Sequence, residues 1–394
     1  MIAGTGVASA TTPTSFTPGD LVVYEVLGNT SAATASELVD YSLGGTGTAP
    51  TAARSGFVVP FPIADSGSVH ALTESGAALN DGELTLSADG HSLIATGYDT
   101  APGTASVTGA KVPRTVAIVS SSGAVDTTTA LSDSTAEANN FRSATTAVTG
   151  GSIYVGSGGG TGITSDGGST TSYLTSDKVH EVQVYDGQLY ESTTKGILAV
   201  GSGLPTSGTQ TTTQLVYEGV NGVSANFGPD QFAFATLGSG PGPDTLYVAD
   251  GSNGATSGDP NAVEKYSLEN GVWTATGSVS VPLAAGLAVS VSNGVADIYV
   301  TGATSTSAGS NTVLDEITDG TGFDGTLGAT GTSGPWNVAA APAGDDFKGL
   351  AFAPTPVTPA PSTPETPLTV LLPAVGGVIL VGGLALRRRK LRTA

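Results

Sequence analysis

His70, His91 and His180 are the only imidazoles in this 394-residue chain. None falls in an HExxH or another metal-ligand spacing, so zinc-assisted hydrolysis of that type has no motif to stand on. Cysteine is absent, which removes thiolate ligands, disulfides and a thiol nucleophile together. A serine nucleophile would need a GxSxG elbow between a strand and a helix, and the Ser/Gly runs here have no helical context. One of them, VGSGGGTG, approaches GxGxxG through Gly158 and Gly160, but Ile163 stands where the third glycine is required. Nucleotide binding is therefore rejected. Calcium has more to offer, because hard oxygen ligands on Gly-rich loops are its usual setting. The loop ADGSNGATSGDPNA presents Asp250, Asn253, Asp259 and Asn261, and DGTGFDG presents Asp319 and Asp324. Asp250, Asp259, Asp319 and Asp324 are thus candidate calcium ligands, although neither loop follows EF-hand order and acidic residues also serve plain hairpin turns.

Side chains this scattered do chemistry only if the fold gathers them, and the elements that would do so repeat along the chain. An alternating apolar strand, a short Gly/Asp/Asn turn and a second strand recur in LTLSADGHSLIATGY from Leu84, RSATTAVTGGSIYVG from Arg142 and HEVQVYDGQLYEST from His180. The same pattern returns in FAFATLGSGPGPDTLYVAD from Phe232 and LAVSVSNGVADIYVTG from Leu287. DG, GG and NG supply the positive φ angles that two-residue hairpins need. Further strands follow, VEKYSL and VWTATGSV after the fourth copy and TVLDEIT after the fifth, so the unit is a small antiparallel sheet repeated every forty to sixty residues. That spacing predicts an all-β propeller. FKGLAFAP from Phe347 reads as an inner strand without a hairpin partner, and LVVYEV from Leu21 is the candidate that closes the ring. Counting the shared blade gives six blades, with seven as the alternative if the weakly patterned stretch before Leu84 hides another, and an open β-sandwich pair as the competing architecture.

In a propeller the loops that enter the inner strands converge around the central channel. Glu83, Arg142, Lys178, His180, Asp230, Gln231 and Lys348 precede or open those strands. Arg142, His180, Asp230 and Lys348 come from four different repeats and are the candidate ligand-binding residues at the channel mouth.

Composition and the two ends suggest a location. The chain has 57 glycines, 22 prolines and only 12% charged residues, a strand-and-turn composition, and its formal net charge is −20. Arg387, Arg388, Arg389, Lys390 and Arg392 crowd the last positions, which makes the rest more acidic still and excludes nucleic acid as a partner. Residues 368–386 read LTVLLPAVGGVILVGGLAL, uncharged and long enough to cross the ~30 Å apolar core of a bilayer as a helix. The RRRK that follows would stay cytoplasmic, which makes the membrane a partner through this helix and puts the preceding residues outside. A Pro/Thr spacer, 355–367, precedes it. LPAVG, 372–376, resembles a sortase signal of the LPxTG type, but Val375 stands in place of threonine, so a retained tail is expected. MIAGTGVASATTPTS, 1–15, reads as the end of a signal peptide and leader.

FTPGDLVVYEV, LSADGHSLIATGYDTAPGTASV, NNFRSATT, VGSGLPTSGTQTTTQL, PDTLYVADG, VEKYSLENGVW and FKGLAFAP occur in this order between Phe16 and Pro354. As a set they resemble signatures of a family of secreted bacterial β-propeller proteins. The resemblance implies an extracellular propeller over 16–354 and carries no catalytic or ligand residue with it. The resulting expectation is a cell-surface-anchored, non-enzymatic binding or structural module that meets a cell-wall or extracellular polymer. The alternative is an extracellular hydrolase or lyase with a carboxylate site, calcium-assisted or not, at the channel.

Overall fold

The computed structural model describes residues 13–44, 50–133, 140–251, 261–305 and 311–357. All of them except Val357 belong to one compact unit, Met1–Pro356. Blade 1 contains β1 (Leu21–Val26), β2 (Ser36–Gly44) and β3 (Thr51–Pro60), and blade 2 contains β4 (Thr85–Leu86), β5 (Ser92–Tyr98), β6 (Arg114–Ser120) and β7 (Val125–Leu131). Blade 3 is built from β8 (Phe141–Thr146), β9 (Ile153–Ser157), β10 (Gly160–Thr164) and β11 (Ser172–Tyr173), and blade 4 from β12 (Val179–Tyr185), β13 (Gln188–Thr193), β14 (Gly196–Val200) and β15 (Thr212–Tyr217). Blade 5 holds β16 (Pro229–Ala235), β17 (Thr245–Asp250), β18 (Ala262–Glu269) and β19 (Val272–Ser280). Blade 6 holds β20 (Leu287–Ser292), β21 (Val295–Gly302), β22 (Val313–Asp319) and β23 (Thr332–Ala340). The final strand, β24 (Asp346–Phe352), pairs antiparallel with β1 and is the innermost strand of blade 1.

The fold is thus a six-bladed β-propeller of four-stranded antiparallel sheets, with the first and last strands joined in one blade. All five expected hairpins are the inner pairs of blades 2 to 6. Asp186 and Gly187, and Asn293 and Gly294, adopt positive φ at the tips of two of them, which is what the right-handed twist of a two-residue hairpin demands. Among the described residues there is no seventh blade. Residues 61–84 form a long connection held by isolated bridges, Thr34 to Glu74 and Thr73 to Tyr98, and add no strand to a sheet.

Burial is highest in the inner two strands of most blades and lowest at the outer edge. Every residue of β1, β5, β8, β9 and β17 is buried, whereas β3 and β23 are largely exposed or half-buried. Six apolar clusters each join two neighbouring blades, so the core is a ring of interfaces, not a single centre. Val22, Tyr24 and Leu38 of blade 1, for example, pack on Leu93, Ala95 and Val119 of blade 2. Among the described residues no helix is long and apolar enough to cross a membrane, and the expected span 368–386 lies outside the described residues.

Candidate functional site

Arg142, His180 and Asp230 are the second residues of β8, β12 and β16, and Lys348 is the third of β24, so all four sit at the upstream end of the inner strands. Blades 3, 4 and 5 are joined directly. Arg142 donates through Nη1 to the carbonyl of Val179 at 2.9 Å, and His180 Nδ1 lies 3.0 Å from Asp230 Oδ1 and 2.8 Å from the Pro229 carbonyl. Lys348 lies on the other flank, 2.6 Å from Asp346 Oδ2 and donating to the carbonyls of Gly76 and Ala78. Glu83 stands between the groups: burial raises its pKa well above the usual range, the charges of Asp230 and Glu181 raise it further, and Lys348 opposes them.

The expectation of an open rim needs correcting. Arg142, His180, Asp230 and Lys348 are 9%, 2%, 1% and 2% exposed. The segment 70–83 covers this end, and the lysine that was expected to face a ligand instead binds its backbone carbonyls. Burial, reinforced by the Arg142 charge, pushes the His180 pKa down to about 3, so the imidazole is neutral at physiological pH. Lys178 alone among the converging residues stays exposed.

One layer further in, the channel is closed by two side chains that reach across it. Gln231 donates through Nε2 to the carbonyl of Leu84 at 2.9 Å and to Glu181 Oε1 at 3.1 Å. Its Oε1 accepts from the amides of Leu287 and Leu350, both at 3.0 Å. A single amide thereby ties β16 to β12, β20, β24 and the start of β4. Glu181 accepts from the Phe232 amide through Oε2 at 2.9 Å. Gly349 makes the close approach of β24 possible, since a Cβ there would meet the Leu84 nitrogen at 2.1 Å.

Beyond this plug the channel opens toward the downstream ends of the inner strands as a pocket of about 280 Å³. Glu181 and Gln231 form its floor, Thr85, Ser87 and Gln183 supply polar wall atoms, and Tyr185, Phe234 and Phe352 stand higher along the strands. Strand alternation explains the lining, because Glu181, Gln183 and Tyr185 of HEVQVY are two apart and share one face of β12. Phe234 is held by Tyr185 at 4.9 Å and Tyr190 at 4.8 Å, ring centre to ring centre. Gln183 Oε1 is buried with no hydrogen-bond partner among the described residues. Reading the sequence for the upstream ends found Gln231 but missed the rest of this pocket, whose signal is the period-two run Glu181, Gln183, Tyr185.

Burial pushes the Glu181 pKa up to about 8, against the lowering effect of the Phe232 and Gln231 hydrogen bonds. Glu191 is pushed up to about 7 for the same first reason. A folded carboxyl that keeps its proton while the unfolded one releases it loses stability as pH rises from the ordinary value to the folded one. His180 has the opposite sign, but its effect is complete above its ordinary value of about 6.5. Between pH 6.5 and about 8 the carboxyls therefore set the slope, and the urea midpoint is expected to fall over that interval. A Glu181→Gln variant should show a shallower fall. A midpoint that climbs instead would contradict the protonated plug.

The described candidate calcium ligands, Asp250, Asp319 and Asp324, are not gathered. Asp250 is buried in β17 and accepts from the Gly228 amide at 2.9 Å, while Asp324 is exposed in a blade 6 loop. Asp319 already meets a cation, Lys265 Nζ at 2.9 Å, and also the Tyr247 hydroxyl at 2.6 Å. Asp259 lies outside the described residues.

No protein-family model matches this sequence. No curated protein matches it either. Among solved structures, a candidate 6-phosphogluconolactonase from Bacteroides uniformis is similar at 13% identity and a TM-score of 0.40, over 82% of each chain. A protein of unknown function from Bacteroides caccae is similar at 12% identity and a TM-score of 0.43, over 85% of this chain and 98% of that one. A Penicillium chrysogenum α-L-arabinanase complexed with arabinobiose is similar at 12% identity and a TM-score of 0.40, over 75% and 92%. Likeness at this level assigns no activity.

Proposed function

We propose that the chain is a cell-surface-displayed, non-enzymatic binding module that takes the end of a neutral extracellular glycan into the blind channel. The observation that carries this reading is the buried, unpartnered Gln183 Oε1 in the wall of a pocket whose floor is Glu181 and Gln231. An acceptor out of water and without a donor costs free energy until a ligand hydroxyl supplies one. With its pKa near 8 the Glu181 carboxyl is mostly protonated at neutral pH, which favours an uncharged ligand. Tyr185 and Phe234 offer ring faces for the apolar faces of a sugar. The apolar run 368–386 and its RRRK end support display from a membrane.

The test uses cells producing the full chain and an array of fluorescent neutral glycans. Binding is expected, with Tyr185→Ala and Gln183→Leu each weakening it by roughly tenfold, about 1.4 kcal/mol. A chain ending at Pro367 should carry the binding into the medium. Absence of any neutral-glycan binding, or variants that bind as the parent does, would refute the site, and a truncated chain that stays with the cells would refute the anchor.

The hydrolase reading rests on one feature, the gathering of Glu83, His180 and Asp230 with two cations at the upstream end. All are at most 9% exposed, so a substrate would reach them only if this end of the channel rearranged. Release of reducing sugar in the same assay would favour that reading.

A further inference from the structure

Away from the channel pocket, Asp65 and His70 of the connection 61–84 meet Asp99, which follows β5. One ligand atom from each lies within 4.8 Å of the other two. His70 Nδ1 is 3.0 Å from Asp99 Oδ2. Both carboxylates turn toward the same backbone donor, the Ala71 amide, at 3.0 Å from Asp65 Oδ1 and 3.2 Å from Asp99 Oδ1. The His70 main chain is anchored to β7, because the His70 amide donates to the Thr127 carbonyl at 3.2 Å and Thr127 Oγ1 donates to the His70 carbonyl at 2.9 Å.

Two carboxylates and an imidazole nitrogen therefore converge on one small volume, and one of the carboxylates does so without being forced to. Asp65 is exposed and could turn to water, yet it points toward a second acid. Among the described residues, the Ala71 amide and one ring nitrogen face the resulting negative charge. Ligands about 2.1 Å from a zinc-sized ion stand roughly 3 to 3.5 Å from one another. The His70 to Asp99 separation already has that value, and the exposed Asp65 side chain has only a short way to move.

We infer that Asp65, His70 and Asp99 form a binding site for a borderline divalent cation such as zinc, with a coordination position left to solvent. One imidazole with two carboxylates suits zinc better than calcium, which takes six or more oxygens. On binding, the Nδ1 lone pair becomes the ligand and the ring proton sits on Nε2. The site would pin the connection 61–84 to the end of β5 independently of any glycan in the channel.

Isothermal titration of zinc chloride into the full chain tests this. A saturable one-site isotherm in the micromolar range is expected, together with a rise in melting temperature and no saturable heat from calcium. His70→Ala and Asp65→Ala should each weaken zinc binding by at least about tenfold, and His91→Ala should leave it unchanged. Asp65→Ala removes an exposed side chain, so it should melt with the parent when no metal is present and should lose the zinc-induced rise. No zinc heat in the parent chain, or full zinc affinity in both cluster variants, would overturn the site.

Discussion

Deleting residues 347–354 is expected to remove the cooperative thermal transition of the propeller near the parent melting temperature and to leave an aggregation-prone chain. The deletion takes away most of β24, the innermost strand of blade 1, whose Phe347 and Leu350 are 0% and 1% exposed. Burying two such side chains contributes about 1.5 to 3 kcal/mol each. The larger consequence is topological. β1 is buried at every residue, and without β24 its inner edge, LVVYEV, would present unpaired backbone groups along an apolar strand. The contact between blades 6 and 1, in which Phe347 and Leu350 pack with Tyr299 and Leu314, would be lost with it. Thermal denaturation followed by circular dichroism, with size-exclusion chromatography, reads both effects. A deleted chain that is monomeric and melts with the parent would show that the ring is not closed through its ends.

Gln231→Met is expected to cost about 3 to 5 kcal/mol although it changes little volume, because it strips hydrogen bonds from buried partners without filling their place. The amides of Leu287 and Leu350 lose their acceptor, and the Leu84 carbonyl and Glu181 Oε1 lose a donor. All of these groups lie at the axis, where water replaces them only by entering the plug. Urea unfolding gives the cost, and a loss below about 1 kcal/mol would mean that the four bonds are not made together. Repacking cannot easily rescue the variant. Gly349 and Gly286 already bring the neighbouring backbones so close that a Cβ at either would collide with main-chain atoms.

The repeat, the turns and the ring closure were legible in the amino-acid sequence because they depend on local rules. DG at 186–187 and NG at 293–294 can be read from two residues, since few side chains tolerate the positive φ of a tight hairpin. FKGLAFAP could be matched to LVVYEV because one strand lacked a partner at each end of the chain, and the structure pairs them. The sequence also put Arg142, His180, Asp230 and Lys348 at one end of the channel, which follows from each opening an inner strand.

Whether those four face water was decided only by tertiary structure. The upstream ends of β8, β12, β16 and β24 are buried on both faces, so a charged residue there carries no alternation that would tell solvent from interior. Lys348 and Arg142 are met there by segment 70–83, through the Gly76 and Ala78 carbonyls and the Asp81 carboxylate, and that segment has no strand pattern of its own and lies 270 residues from the lysine it binds. The channel plug is likewise invisible to any window of sequence, for Gln231 bonds to Leu84 across 147 residues and to Leu350 across 119. The meeting of Asp65 and His70 with Asp99 joins a loop to the end of a strand in the next blade, and no ligand spacing marks it. Blade count and closure follow from local pattern and from the need to pair every buried edge. The sites follow from which distant backbones six blades bring within a few ångströms of one axis.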